Sequence, residues 1–408
     1  MESGPLMRTQ ESPIGANWLT IGASVFAVSA CLFAAGYAFD ATVRPFEGLV
    51  PVTGNAPSSL KSAPEAKFRM MSFNIRRDFK SDGLNQWKNR IPLVTKILQT
   101  ESPDIIGMQE VLPEQMDDIK TMIPEYEVIG AGRDDGQREG EFVPLFFRKD
   151  KFKAISAGFF WLSDRPDIPG SIYPGAGCTR ITTWALLRMN EDSDVGVDIL
   201  AISTHFDHVS ESARKKGAEV LRLKIREILD QHAPKSRGTG IVLVGDFNAE
   251  PEESALHTLL GDTWQKDKAV FYDSRLKSEK FAQPDGQNVG TFPSWDPTIN
   301  GKIIDYVLYT PSPLACFKEN QQPSDAKSAL KMLSRESVEC LKYTLKRNSN
   351  MDIKAQTYSV VIDPNLLKSP TQPSDHRPVV VDFRIVGGPG SGSGGQEMMS
   401  TRNSNSST

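Results

Sequence analysis

The chain has 408 residues, 39% of them hydrophobic and 24% charged, a balance ordinary for a globular protein of one to three domains. A formal net charge of −4 argues against a protein that holds nucleic acid by bulk electrostatics, although a local basic groove is compatible with it. The four cysteines, Cys31, Cys178, Cys316 and Cys340, form no C-x-x-C pair, which argues against a zinc ribbon or a thioredoxin-type site. Cys316 and Cys340 either pair in an oxidising compartment or stay free thiols.

In chain order, residues 1–16 read as an N-terminal tail. Residues 17–39 lack charge and are mostly apolar or small. As a helix, Trp18 to Phe39 spans roughly 33 Å, about the hydrocarbon thickness of a bilayer. This predicts a single-pass membrane anchor, or a cleaved signal peptide of a secreted protein with small residues at Ala35-Gly36-Tyr37-Ala38. Arg8 and Arg44 flank it and leave its orientation undetermined. Residues 40–66 read as a proline-rich linker and 67–386 as the folded domain. Within that domain, 311–355 reads as a Lys-rich surface insertion with a weak helix over 326–333. Residues 387–408 read as a disordered Gly/Ser/Asn tail.

The periodicity predicts strands over 68–73, 105–108, 143–147, 159–162, 181–187, 197–203, 241–244, 303–309, 358–362 and 379–385. It predicts amphipathic helices over 87–98 and 210–231, the second capped by Ser210. Several strands follow one another without a helix between them, so a strict parallel βαβ repeat does not fit. An α/β sandwich of two mixed sheets packed face to face, with helices outside, fits better.

Five predicted strands run into polar groups: Asn74, then Gln109-Glu110, then Thr204-His205-Phe206-Asp207-His208, then Gly245-Asp246-Phe247-Asn248, then Ser374-Asp375-His376. Asp305 is expected inside a sixth strand. If the strands bearing Asp246 and Asp375 meet in one sheet, their polar ends converge at its edge. A carboxylate beside an apolar strand is costly unless paired or metal-bound. Four such carboxylates with His205 and His376 have the groups to bind a hard cation and to activate water. Oxygen donors suit Mg²⁺, or Mn²⁺, rather than structural zinc.

This ordered set (FN, QE, THxDH, GDFN, IDY, SDHRP) resembles the endonuclease/exonuclease/phosphatase superfamily from about Phe68 to Ile385. The stretches Gly158 to Ser163 and Cys178 to Trp184 resemble a largely microbial branch of it. The resemblance implies a four-layer, deoxyribonuclease-like sandwich and metal-assisted hydrolysis of a phosphoester by water. It implies Glu110 as the main metal ligand, with Asn74 beside it and Asp375 as a ligand or a partner of a histidine. Asp246 would orient or deprotonate water, Asn248 would hold that water and a phosphoryl oxygen, and His376 would bind phosphate and move protons. Asp305 would align His376, and His205 would touch phosphate.

Arg180 is the candidate phosphate donor from its strand, in place of the tyrosine of abasic-site enzymes. His208 is either phosphate-binding or structural. Arg76 stands where some relatives carry an acidic residue, which disfavours a second metal and offers a phosphate contact. Glu141 is a candidate to hold a histidine. The expected partner is a phosphoester substrate, with no protein partner evident. A nuclease-type phosphodiesterase acting on nucleic acid leads. A membrane-associated phosphoesterase acting on phospholipid head groups follows, and a catalytically silent binding domain comes last.

Overall fold

The computed structural model describes residues 65–190, 195–234, 237–261, 271–313 and 351–387. Residues 17–39, the helix expected over 326–333, Cys31, Cys316 and Cys340 lie outside them. Among the described residues no helix is long and apolar enough to cross a membrane.

The strands are β1 (Glu65–Asn74), β2 (Ile105–Gln109), β3 (Tyr126–Ile129), β4 (Leu145–Arg148), β5 (Phe152–Trp161), β6 (Ile181–Met189), β7 (Val197–His205), β8 (Gly238–Asp246), β9 (Tyr272–Asp273), β10 (Lys280–Phe281), β11 (Asp305–Tyr309), β12 (Met351–Val360) and β13 (Val379–Gly387). The helices are α1 (Trp87–Glu101), α2 (Pro113–Met122), α3 (Glu211–His232), α4 (Ser254–Leu260) and α5 (Ser274–Lys277). One sheet has seven strands in the order β10-β12-β13-β1-β2-β4-β3, and the other has six in the order β5-β6-β7-β8-β11-β9. Both are mixed: β1 pairs parallel with β2 and antiparallel with β13, and β8 pairs parallel with β7 and antiparallel with β11.

Side-chain alternation makes the layers. Met70, Ile105 and Leu145 of the first sheet share an apolar cluster with Ile199, Val242 and Val244 of the second. The intervening residues turn outward. Met71, Phe73 and Ile106 meet Val94, Ile97 and Ile119 of α1 and α2, while Ile202, Ile241 and Leu243 meet Leu221, Ile225 and Leu256 of α3 and α4. The result is the expected four-layer α/β sandwich. Strands covered on both faces read as continuous apolar runs, which is why Ile241-Val242-Leu243-Val244 was legible. Ser210 caps α3, its Oγ accepting from Ala213 N at 3.2 Å.

Several expectations are corrected. The first strand begins at Glu65, so it takes the last two residues assigned to the linker. The insertion expected over 311–355 gives up its end to β12, which starts at Met351. That strand buries Ile353, Ala355, Tyr358 and Val360, and a bulge between Ala355 and Thr357 breaks the period-two signal. The strand β5 starts seven residues before Phe159, because as an edge strand it alternates exposed and covered positions rather than forming an apolar run. Asp305 opens β11 rather than lying inside a strand. The N–H groups of Ile304 and Asp305 both go to Thr291 Oγ1, at 3.1 Å each, instead of to a sheet ladder.

Candidate active site

The strands carrying Asp246 and Asp375 do not meet in one sheet. The strand β8 belongs to the six-stranded sheet, and the Ser374-Asp375-His376 loop enters β13 of the seven-stranded one. Their polar ends converge across the sandwich. Asn74 ends β1, and its Nδ2 donates to Glu110 Oε1 and to Asp246 Oδ2, at 3.0 Å each. One amide thus ties the two sheets together at their ends.

Close approach shapes these strand ends. A Cβ on Gly245 would sit 2.1 Å from Thr204 O, and one on Gly107 would sit 2.3 Å from a Val244 methyl. Glu110 (φ 60°) and Asn248 (φ 47°) occupy the left-handed region. A non-glycine residue holds that conformation at a cost, and such strain gathers at functional sites.

Asp246 is buried and fully engaged. Its Oδ1 accepts from Asn248 N at 2.9 Å, and its Oδ2 lies 3.5 Å from His205 Nε2 and 3.7 Å from His376 Nε2. Asn248 Nδ2 donates to His205 Nε2 and to Phe206 O, at 3.1 Å each. Asp305 Oδ2 lies 2.9 Å from His376 Nδ1, and the Phe292 ring packs on the His376 ring at 4.6 Å between centroids. Glu110 Oε2 accepts from Arg77 N at 3.2 Å.

Burial pushes Asp246 up to about 7, with Asp305 adding to the rise against the pull of His376. Burial opposes charge on His376, but Asp305 and Asp246 outweigh it and lift that imidazole to about 10. Burial alone would raise Glu110, yet His376, Asn74 and Arg76 hold it below the usual carboxylate range. Burial, then Arg180 and Arg133, drive His205 well below the ordinary histidine value and keep it neutral.

The donor set fits a hard divalent cation. Ligand atoms of Glu110, His205 and Asp246 all lie within 4.8 Å of one another. His205 Nε2 accepts from Asn248 Nδ2 at 3.1 Å and lies 3.5 Å from Asp246 Oδ2.

The remaining expected residues fall into three groups. Asn74 presents its amide nitrogen to the carboxylates, and its Oδ1 is taken by Arg76 N at 3.0 Å. In this structure the amide nitrogen, and not the oxygen, faces the two carboxylates. Asp375 faces Arg76 Nη1 at 3.7 Å, stays outside the Glu110 cluster among the described residues, and is raised by burial. Arg76 is itself clamped by Asp82, at 3.0 Å from Nε. Arg180 and His208 bond each other at 2.9 Å rather than any of Asn74, Glu110, Asp246 or His376. Glu141 holds Arg77 and Arg133 instead of a histidine.

Sequence reasoning missed Arg90. This fully buried guanidinium donates to the carbonyls of Ile75, Arg76, Arg77, Asn85 and Pro373. It joins the turn after Asn74 to the residue before Ser374. Burial lowers its pKa to about 10. The signal was present: Arg90 sits on the buried stripe of α1, one turn before Val94 and two before Ile97. Arg90→Met is expected to destabilise the fold by about 3 kcal/mol or more, because it strands buried carbonyls without donors. A denaturant midpoint within error of wild type would rule this out.

A pH dependence follows from the same network. His376 and Asp246 are both raised in the folded state, so at these two groups that state binds more protons than the unfolded chain and their contribution to stability falls as pH rises. The His376 contribution is complete below the unfolded value of about 6.5 and is lost as pH passes about 10. Asp246 loses its share between about 4 and about 7. Urea unfolding of chelator-treated protein is expected to show the margin of wild type over His376→Asn shrinking from pH 6 to pH 10. A constant or growing margin would contradict the assignment.

The model of the endonuclease/exonuclease/phosphatase family matches residues 71–376, which spans every residue of this site. An endonuclease/exonuclease/phosphatase from Bacteroides vulgatus is 27% identical, with a TM-score of 0.59 over 78% of this chain and 98% of that one. A mannosyl-6-phosphatase from Bacteroides thetaiotaomicron is 26% identical, with a TM-score of 0.59 over 78% and 99%. Protein angel homolog 2 of Danio rerio is 26% identical over 249 residues, 56% of this chain, and this chain spans 41% of that protein. With its family model spanning both sheets and its polar strand ends meeting between them, the chain belongs to the endonuclease/exonuclease/phosphatase family of phosphoester hydrolases.

Proposed function

We propose that this protein is a divalent-metal-dependent phosphoester hydrolase that uses water as its nucleophile and forms no covalent intermediate. The observation that carries this is the cluster of Glu110, Asp246 and neutral His205, whose possible ligand atoms all lie within 4.8 Å of one another beside a protonated His376. Glu110 would hold Mg²⁺ or Mn²⁺, which when bound supplies charge neutralisation at the phosphoryl oxygens. Asp246, near neutrality in its proton affinity, accepts a proton from the attacking water. Asn248 fixes that water, and His376 donates from Nε2 toward the phosphate while Asp305 holds Nδ1.

For the substrate, a nuclease-type phosphodiester of nucleic acid is the first reading. A phosphomonoester is the second, favoured by the similarity to a mannosyl-6-phosphatase. Residues 17–39 would place the enzyme on a membrane, or direct its secretion. They keep a lipid head group among the substrates to be tried. Full-length protein with Mg²⁺ or Mn²⁺ should release product from one of four panels: RNA, DNA, phospholipids or sugar phosphates. Chelation should abolish the release. Silence on all four panels with both ions would sink the proposal. Protease protection in sealed vesicles would test the membrane placement.

A further inference from the structure

Arg76 holds a left-handed backbone (φ 57°), as does Glu110 (φ 60°). Neither is a glycine, so each conformation costs energy and persists only where neighbouring contacts impose it. On Arg76 those contacts fall on the backbone. Its N–H donates to Asn74 Oδ1 at 3.0 Å, which turns the Asn74 amide nitrogen toward Glu110 Oε1. Its carbonyl accepts from Gln115 Nε2 at 2.9 Å and from Arg90 Nη2 at 2.7 Å. That carbonyl and the Arg77 N–H belong to one planar peptide and point opposite ways. Gripping the oxygen therefore aims the N–H, which donates to Glu110 Oε2 at 3.2 Å. Both oxygens of Glu110 are thus set through the backbone of Arg76.

Gln115 is the third residue of α2 and is 1% exposed. While its Nε2 grips Arg76 O, its Oε1 accepts from Leu112 N at 3.1 Å and from Asp78 N at 3.3 Å. One side-chain amide so joins the segment leaving β1 to the segment leaving β2, and the second of these carries Glu110. Pro113 opens α2 with a backbone angle already suited to a helix, which fixes where Gln115 falls. Arg90 grips the same oxygen but also holds the carbonyls of Ile75, Asn85 and Pro373, so its loss disturbs more than this one peptide.

We propose that Gln115 is a positioning residue for Glu110: it clamps the Arg76–Arg77 peptide, and the clamp sets how tightly the site holds its divalent cation. Gln115 acts through that peptide and needs no contact with cation or substrate. With the clamp in place, Asn74 Nδ2 and Arg77 N fix the direction of the Glu110 carboxylate before a cation arrives. Without it, Arg76 can leave the left-handed region, and the Arg77 N–H turns away from Glu110. The proposal rests on the metal-dependent reading above. A role confined to folding predicts a different outcome, a less stable protein with unchanged metal binding.

The test uses the full-length protein, freed of metal by chelation and dialysis and titrated with Mn²⁺, while electron paramagnetic resonance measures the free ion. No substrate is needed. Gln115→Met keeps the length of the side chain and loses both its donor and its acceptor. Its Kd for Mn²⁺ is expected to rise about 10-fold or more, the scale of losing a group that orients a metal ligand. Urea unfolding of the metal-free protein is measured alongside. A Kd within error of wild type overturns the positioning role, whatever the urea midpoint does. If Gln115→Met fails to fold, Gln115→Glu keeps the shape and the two acceptor bonds and loses only the donor to Arg76 O. Its added negative charge favours cation binding, so a weaker Kd in that variant has the lost donor as its cause. An unchanged or tighter Kd there overturns the proposal. Wild-type protein that takes up no Mn²⁺ overturns the metal-dependent reading, and the clamp with it.

Discussion

Replacing Asp246 with Asn is expected to lower kcat by roughly 10²-fold or more, the scale of losing general acid/base help. The substitution keeps the shape of a side chain that accepts from Asn74 Nδ2 at 3.0 Å and from Asn248 N at 2.9 Å. It removes the one carboxylate placed between His205 and His376. Burial has already pushed that carboxyl up to about 7, so it can take a proton near neutral pH, which an amide cannot. The loss should fall on kcat more than on KM, because the group acts on the water rather than on binding. Single-turnover rates at saturating metal would check this. A variant within a few-fold of wild type would remove Asp246 from the proton-transfer role.

Glu110→Gln is expected to raise the metal concentration needed for half-maximal activity by about 10-fold or more, the scale set by deleting one charge-assisted contact. The carboxylate is held below its usual range despite burial, the opposite of Asp246. It is therefore the dependable anion of the pair, and its left-handed backbone (φ 60°) is a strain the chain retains to present it. Titrating Mg²⁺ and Mn²⁺ against activity separates this from a folding defect, since excess metal should restore much of the rate. An unchanged metal requirement would assign Glu110 a structural role. A loss that no metal concentration recovers would move it from holding the ion to the chemical step.

The two carboxylates also show how far the residues were legible before folding. Glu110 and Asp246 both end apolar strands, so both were candidates, but their proton affinities move in opposite directions. Only their surroundings separate them. Asn74 is a similar case. Its place at a strand end was readable, while the facing of its amide nitrogen toward two carboxylates depends on Arg76 N claiming the oxygen. Arg90 was readable in principle as a cation on a buried helical stripe, but its five carbonyl partners come from segments nearly 300 residues apart. The short β3 and the helix α2 escaped notice because four residues, or a single turn of apolar spacing at Met116 and Ile119, carry little periodic signal.

What the sequence determined by itself was the set of strands covered on both faces, the two long helices and the polar groups at the strand ends. Each is a local pattern, set by alternation or by 3.6-residue spacing, and a strand buried on both sides must be apolar throughout. What only the tertiary structure decided was which strand ends meet. Asp246 and Asp375 belong to different sheets, and the site forms because the sheets stack face to face and bring both edges to one Asn74 amide. Side-chain charge was decided there too. Burial and neighbouring charges, which no local pattern encodes, leave His376 charged and His205 neutral.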